Sequence, residues 1–460
     1  MQPQQIVEDA LAASGADGCV VIVAEGSETN LRFAANSLTT NGQMRSRSVT
    51  VVATFDRADG TSAGVVTRPV TTPSELTALV QAADEAGRSA GAADDAVPLV
   101  ANYPHTDDWS AEPAQTSVSV FERFAADLGA TFERWRKADQ LLFGFAEHRM
   151  TSYFLGTSTG LRRRFDQPTG RLELNGKSAD LTRSAWSGMH SRTYADVDVE
   201  AAADDLETRL GWASTRLDLP AGRYETILPP TAVADLMIYA YWTASARDAE
   251  EGRNVFAASN GGTRIGEHIA ALPLTLRSDP AEPGLQCPPF DLVTQSEGGL
   301  QSVFDNGAPL SATQWVRDGT LADLVRTRSW AARSQAEARP AIDNLILDGG
   351  SGASLEQMIA ETERGLLLTC LWYIREVDPQ TLLLTGLTRD GVYLVENGQV
   401  RGAVNNFRFN ESPIDLLGRV TQAGRTEHTI SREWSDYFLR TAMPALRVPD
   451  FNMSTVSQAQ

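Results

Sequence analysis

The sequence predicts an α+β protein, and three observations carry that expectation. Helical and strand-like segments are mixed without the regular alternation that builds a parallel βαβ sheet. Asn-Gly and Asp-Gly turn dipeptides sit in the second half, where the pattern turns mostly to strands. With 460 residues the chain exceeds what one hydrophobic core comfortably fills, so two domains are expected. The expected arrangement is a mixed α/β domain over residues 1–218, then a β-rich domain over 219–460 built on a barrel-like antiparallel sheet.

Taken in order, residues 4–14 have helical periodicity and end at Gly15. Cys19–Ala24, Thr29–Phe33, Ser46–Thr54 and Ser62–Thr67 read as strands, the last two joined by an Asp59-Gly60 turn. Thr72-Pro73-Ser74 opens a helix over 74–90, with Glu75 in its first turn. A loop follows to about residue 115, then a long helix over 118–140. Tyr153–Arg164 and Gly170–Asn175 read as a hairpin, and a helix over about 198–213 closes this half. Beyond Leu219-Pro220-Ala221-Gly222 come a helix over 231–247 and an irregular stretch over 252–320. Strands then dominate, with Asp390-Gly391 and Asn397-Gly398 as hairpin signals flanking Val392–Glu396.

Composition excludes several classes. At 42% hydrophobic and 22% charged residues the chain has the make-up of a soluble globular protein. It lacks the run of about eighteen apolar residues that a membrane helix needs, and its first residues do not read as a secretory signal. Cys19, Cys287 and Cys370 are far apart, and Cys19 and Cys370 lie in apolar runs; they read as buried thiols in a cytoplasmic protein. A net charge of −19 argues against nucleic acid as a direct partner, because duplex binding needs a cationic face. The one dense basic run, Arg162-Arg163-Arg164, reads as a solvated rim.

Three motifs invite chemistry. The histidines are His105, His148, His190, His268 and His428, and no two fall within a helical turn or two of each other. No HExxH or HExxxH zinc pair exists, and in Glu147-His148, Glu267-His268 and Glu427-His428 the adjacent side chains point apart. Gly156-Thr157-Ser158-Thr159-Gly160 satisfies the spacing of a nucleophile elbow around Ser158, yet its flanks read as a hairpin rather than a strand-to-helix turn. Asp348-Gly349-Gly350-Ser351-Gly352, between a strand and a helix, could cradle an anion, but Leu355 stands where a dinucleotide fingerprint needs its third glycine.

The ordered set of remaining segments resembles one family. These are Glu361-Thr362-Glu363-Arg364-Gly365-Leu366-Leu367; Val377-Asp378-Pro379-Gln380-Thr381, with Leu382 in place of a glycine; the run from Asp390 to Val404; and Asn406–Pro413. Leu31-Arg32-Phe33-Ala34-Ala35-Asn36 and the Gly156–Gly160 turn agree more loosely. Together they resemble the TldD/PmbA family of peptidase subunits, in its metal-free PmbA/TldE-type branch. Catalytic members follow a Pro-Ala-Gly-x-Tyr segment with a helix carrying HExxxH. This chain keeps the lead-in, Pro220-Ala221-Gly222-Arg223-Tyr224, and counting forward places the motif on Ile238, Tyr239 and Thr243. Isoleucine cannot bind zinc, threonine is a poor ligand, and tyrosine is a poor base near neutral pH. The family's further cysteine ligand is also missing between Gly424 and Pro444.

The resemblance implies no catalytic residue, metal or cofactor in this chain, with zinc in a TldD-like metal-bearing homologue that completes a heterodimer. It implies peptides or unfolded proteins as substrates of that complex. The alternative is a homodimeric binding or scaffold protein without a peptidase partner. Val233, Leu236, Met237, Ala240, Tyr241 and Ala244 define a buried helix face, and Ile238 and Trp242 extend it, so this helix is expected to pack on two sides.

Overall fold

The computed structural model describes residues 1–457 other than 102, 105, 297 and 298, so His105 lies outside the described residues. Two sheets organise the chain. The first is antiparallel, in the order β3-β2-β1-β4-β5-β6. Its strands are β1 (Gly18–Ala34), β2 (Ser37–Arg57), β3 (Gly60–Arg68), β4 (Gln140–Thr157), β5 (Arg162–Ser178) and β6 (Ser184–Ser191). Helices α1 (Pro3–Ala13), α2 (Pro73–Ser89), α3 (Glu122–Lys137) and α4 (Val199–Trp212) accompany it.

Alternation in β1 sorts the two faces. Cys19, Val21 and Val23 pack with α1 and α2, and Leu31 and Phe33 on the same face pack with α3 and α4. The intervening Val20 and Ile22 pack instead against Phe290, Val303 and Phe304 of the irregular middle stretch. That stretch therefore covers a sheet face, which explains its apolar residues. The Thr72/Glu75 capping box forms as its residues predict.

The second sheet has fourteen strands and begins with β7 (Arg216–Leu217) and β8 (Gly222–Leu228). It continues with β9 (Thr275–Ser278), β10 (Thr313–Arg317), β11 (Thr320–Leu321), β12 (Leu345–Asp348), β13 (Arg364–Leu368) and β14 (Leu371–Asp378). β15 (Leu383–Thr388), β16 (Val392–Glu396), β17 (Gln399–Val404), β18 (Phe407–Glu411), β19 (Gln422–Thr429) and β20 (Thr441–Val456) complete it. It is mixed: β12 with β20, β13 with β8 and β17 with β7 are parallel pairs. The α+β class and the strand-rich second half agree with the sequence. Among the described residues no helix is long and apolar enough to cross a membrane.

Several boundaries differ from expectation for identifiable reasons. β5 runs unbroken through Pro168, because β6 pairs only from Gly170 onward and a missing N–H is tolerated on a local edge. Asn397-Gly398 does join the paired strands β16 and β17, with φ of 52° and 73°. Asp390-Gly391 is not a hairpin turn: β15 pairs with β14 and β18, while β16 pairs with β13 and β17. The expected helix over 231–247 is two helices, α5 (Pro230–Trp242) and α6 (Ala246–Glu250). Thr243 ends α5 by donating its hydroxyl to the carbonyls of Tyr239 and Ala240, and Ser245 caps α6.

Candidate functional site

Helix α5 follows the retained lead-in and carries two of the motif-aligned positions, Ile238 and Tyr239, with the third, Thr243, as its C-cap. It is apolar on nearly every side, as its sequence predicts, with Val233, Leu236, Met237, Ala240, Tyr241 and Ala244 in the core. Ile238 is fully buried. Tyr239 is half-buried, its ring 5.6 Å from that of Trp434. Burial, then the nearby Glu376 carboxylate, raises its phenol pKa, so it moves further from use as a base. Thr243 spends its hydroxyl on the helix end.

The segment over 432–438 closes over this helix. Trp434 stacks its edge on Trp242 at 5.2 Å and donates its indole N–H to the carbonyl of Asp235 at 2.9 Å. The backbone N–H of Glu433 donates to Asp235 Oδ1 at 2.8 Å. The Glu433 carboxylate accepts the N–H groups of Tyr373 and Ile374, at 3.0 and 3.2 Å, along the free edge of β14. Arg432 lies between the rings of Trp186 and Trp372, 4.8 Å from each, and donates to Glu173 at 3.0 Å. The first sheet, β14 and α5 are thus tied together through one loop.

Asp235 is the residue that sequence reasoning missed. Its side chain is fully buried and its Oδ2 has no hydrogen-bond partner. Burial above all, and then the Glu433 charge, pushes its carboxyl well above the usual carboxylate range. The only signal was one carboxylate among the thirteen residues of an otherwise apolar helix.

The donor set on α5 does not fit a zinc ion. Ile238 has no lone pair, the Thr243 hydroxyl is committed, and Asp235 is a single carboxylate whose Oδ1 already accepts the Glu433 N–H. Among the described residues, no group of three or more His, Cys, Asp and Glu side chains could hold a metal ion. The four described histidines are scattered. His148 bonds Thr116 and the Arg192 carbonyl, at 2.7 and 2.8 Å. His190 is half-buried, and desolvation, then the charges of Arg440 and His428, pulls its pKa down to about 3. His268 touches Thr320 at 3.4 Å. His428 lies on β19.

The other two motifs are architectural. Ser158 sits in the turn joining β4 to β5, and its hydroxyl accepts the N–H of Cys19 at 3.0 Å. The Gly349–Gly352 loop is stitched to β19, with the Ser351 N–H and hydroxyl both bonded to the Ala423 carbonyl at 2.8 Å. The helix beyond it, α8 (Leu355–Ala360), closes its own first turn through a Ser354/Gln357 capping box. The preceding helix, α7 (Arg328–Ser334), comes before β12 and lies outside this region. Within 380–410, β15, β16 and β18 have neighbours on both sides, and β17 is covered by β7 at Ala403 and Val404, so these strands leave little open edge for an added peptide strand.

A cavity of about 260 Å³ opens beside the last turn of α5, bordered by Tyr241, Trp242, Phe290 and Phe438.

Comparison with known proteins is consistent with this geometry. Residues 221–455 match the family model described as the PmbA/TldA metallopeptidase C-terminal domain. No curated protein sequence matches. Among solved structures, TldE from Thermococcus kodakarensis superposes with a TM-score of 0.79 at 16% identity, covering 98% of this chain and 99% of that one. A proposed modulator of a DNA gyrase from Thermotoga maritima gives 0.75 at 16% identity, covering 98% and 99%. Another from Bacteroides thetaiotaomicron gives 0.75 at 14% identity, covering 98% of both chains. At such identities these likenesses establish the fold.

Proposed function

Because the chain belongs to the PmbA/TldD metallopeptidase family, we propose that it is the metal-free subunit of a two-component peptidase. Its partner is a metal-bearing TldD-like homologue, and the pair cleaves peptides or unfolded proteins. One observation carries the reading. The helix on which catalytic relatives place HExxxH here buries Ile238 completely and packs Tyr239 and Trp242 on Trp434. The surrounding scaffold is kept while the groups that would hold metal and move protons are replaced by packing. Such a subunit contributes shape: it holds the substrate and completes the enclosure, and bond cleavage falls to the partner.

The name of the gyrase modulators does not transfer readily. A chain of net charge −19 repels a duplex, and a protein target for any such effect is the better reading.

The test is to assay peptide cleavage with this chain, with a metal-bearing homologue from the same cell, and with both mixed. Cleavage that needs both supports the proposal. Chelator-sensitive cleavage by this chain alone would refute it, as would full activity of the homologue alone.

A further inference from the structure

The cavity beside α5 contains a buried carboxyl group without a hydrogen-bond partner. Asp291 is 6% exposed and lines the cavity. No described residue donates a hydrogen bond to its side chain, although its backbone is held by Ala308 and Gly307. The charge acting on it is another carboxylate, Asp305. The lining holds a second carboxylate, Asp343, which is already paired with Arg440 behind it, and no lysine, arginine or histidine among the described residues. Apart from Gln301, its remaining walls are aromatic or apolar. Phe438 stands 6.1 Å from Tyr241 and 6.3 Å from Trp242, ring to ring. Tyr437, also in the lining, is 76% exposed.

We propose that this cavity receives the basic side chain, lysine or arginine, of a bound peptide, with Asp291 as its counter-ion. The inference rests on the reading of this chain as a peptide-holding subunit and names the substrate feature it selects. Size fits one side chain: about 260 Å³ lies just below the roughly 300–1,000 Å³ of small-molecule pockets. Chemistry fits a cation. An aliphatic guest would leave the Asp291 carboxyl dry and unpaired, and an acidic one would be repelled. An ammonium or guanidinium group gives Asp291 a charge-assisted hydrogen bond and meets aromatic walls that favour cations. Burial, with the Asp305 charge, holds the Asp291 carboxyl well above its ordinary range, as expected of a group whose counter-charge comes from elsewhere.

The experiment measures binding of blocked tripeptides, acetyl-Gly-Xaa-Gly-amide, to the purified full chain by calorimetry and tryptophan fluorescence. Xaa is lysine, arginine, norleucine or glutamate. Lysine or arginine should bind roughly tenfold or more tighter than norleucine, with glutamate weakest. Asp291→Asn, close in shape, should abolish the preference. If that variant does not fold, Ala341→Leu, which narrows the cavity, should weaken the basic peptides to the level of norleucine. Norleucine binding as tightly as lysine, or a preference surviving these substitutions, would overturn the proposal. Cleavage by the mixed subunits is scored separately. A pair that cleaves although this chain shows no preference refutes the cavity and leaves the subunit reading standing. A chain that prefers lysine yet supports no cleavage does the reverse.

Discussion

At the scale of single residues, the motif-bearing helix is governed by what it can bury. Ile238 has no room for charge, so Ile238→Asp should cost on the order of 4 kcal/mol in urea unfolding. An unchanged midpoint would mean that α5 faces an open space. Asp235 makes a subtler prediction. Its folded-state pKa lies well above the ordinary 3.8, so the folded protein keeps a proton that the unfolded chain releases. The stability this lends is complete below about pH 4 and drains as pH rises toward the folded value. Asp235→Asn keeps an acceptor for the Glu433 N–H and cannot titrate. The variant should therefore gain on the parent as pH rises above about 4, by at most about 1.4 kcal/mol per pH unit, read from paired unfolding curves. A lead-in segment fixes the count that aligns Ile238, Tyr239 and Thr243 with the motif. Asp235 and Asp291 were not legible in the sequence: Asp235 takes its meaning from Glu433, 198 positions away, and Asp291 from its position in a cavity.

At the scale of elements, local chemistry was readable and partnership was not. Asp390-Gly391 and Asn397-Gly398 all have positive φ, as their types allow, yet only the second pair joins strands that lie side by side. A dipeptide sets a turn; which strand receives the chain is decided by distant packing. The glycine loop after β12 makes the same point. A methyl group on Gly350 would stand 1.6 Å from the Gly424 carbonyl oxygen, whereas Gly352, at φ 82°, has open space. Gly350→Ala should cost about 3 kcal/mol or more through forced backbone movement. Gly352→Ala should cost about 1 kcal/mol through its dihedral alone. Equal losses in thermal or urea unfolding would show that the loop is not pinned to β19.

At the scale of the whole molecule, the α+β class and the strand-rich second half followed from periodicity and turn dipeptides. The branching of the second sheet did not. β20 alone pairs with four different strands along its length, and no alternation in sequence announces that. The three cysteines show what burial at this scale makes possible. All are unpaired and buried, and burial pushes the thiols of Cys19 and Cys287 up to about 11 and 12, and that of Cys370 up as well. A thiol that is both protonated and inaccessible reacts slowly with electrophiles. The folded chain should therefore take up almost no maleimide dye over minutes at neutral pH, and three equivalents once denatured, as read by intact mass. Prompt labelling of the native chain would contradict the burial. The native protein is thus a blank background for spectroscopy: one cysteine introduced at the exposed Tyr437 would carry a reporter in the lining of the cavity, with no need to remove the natural three.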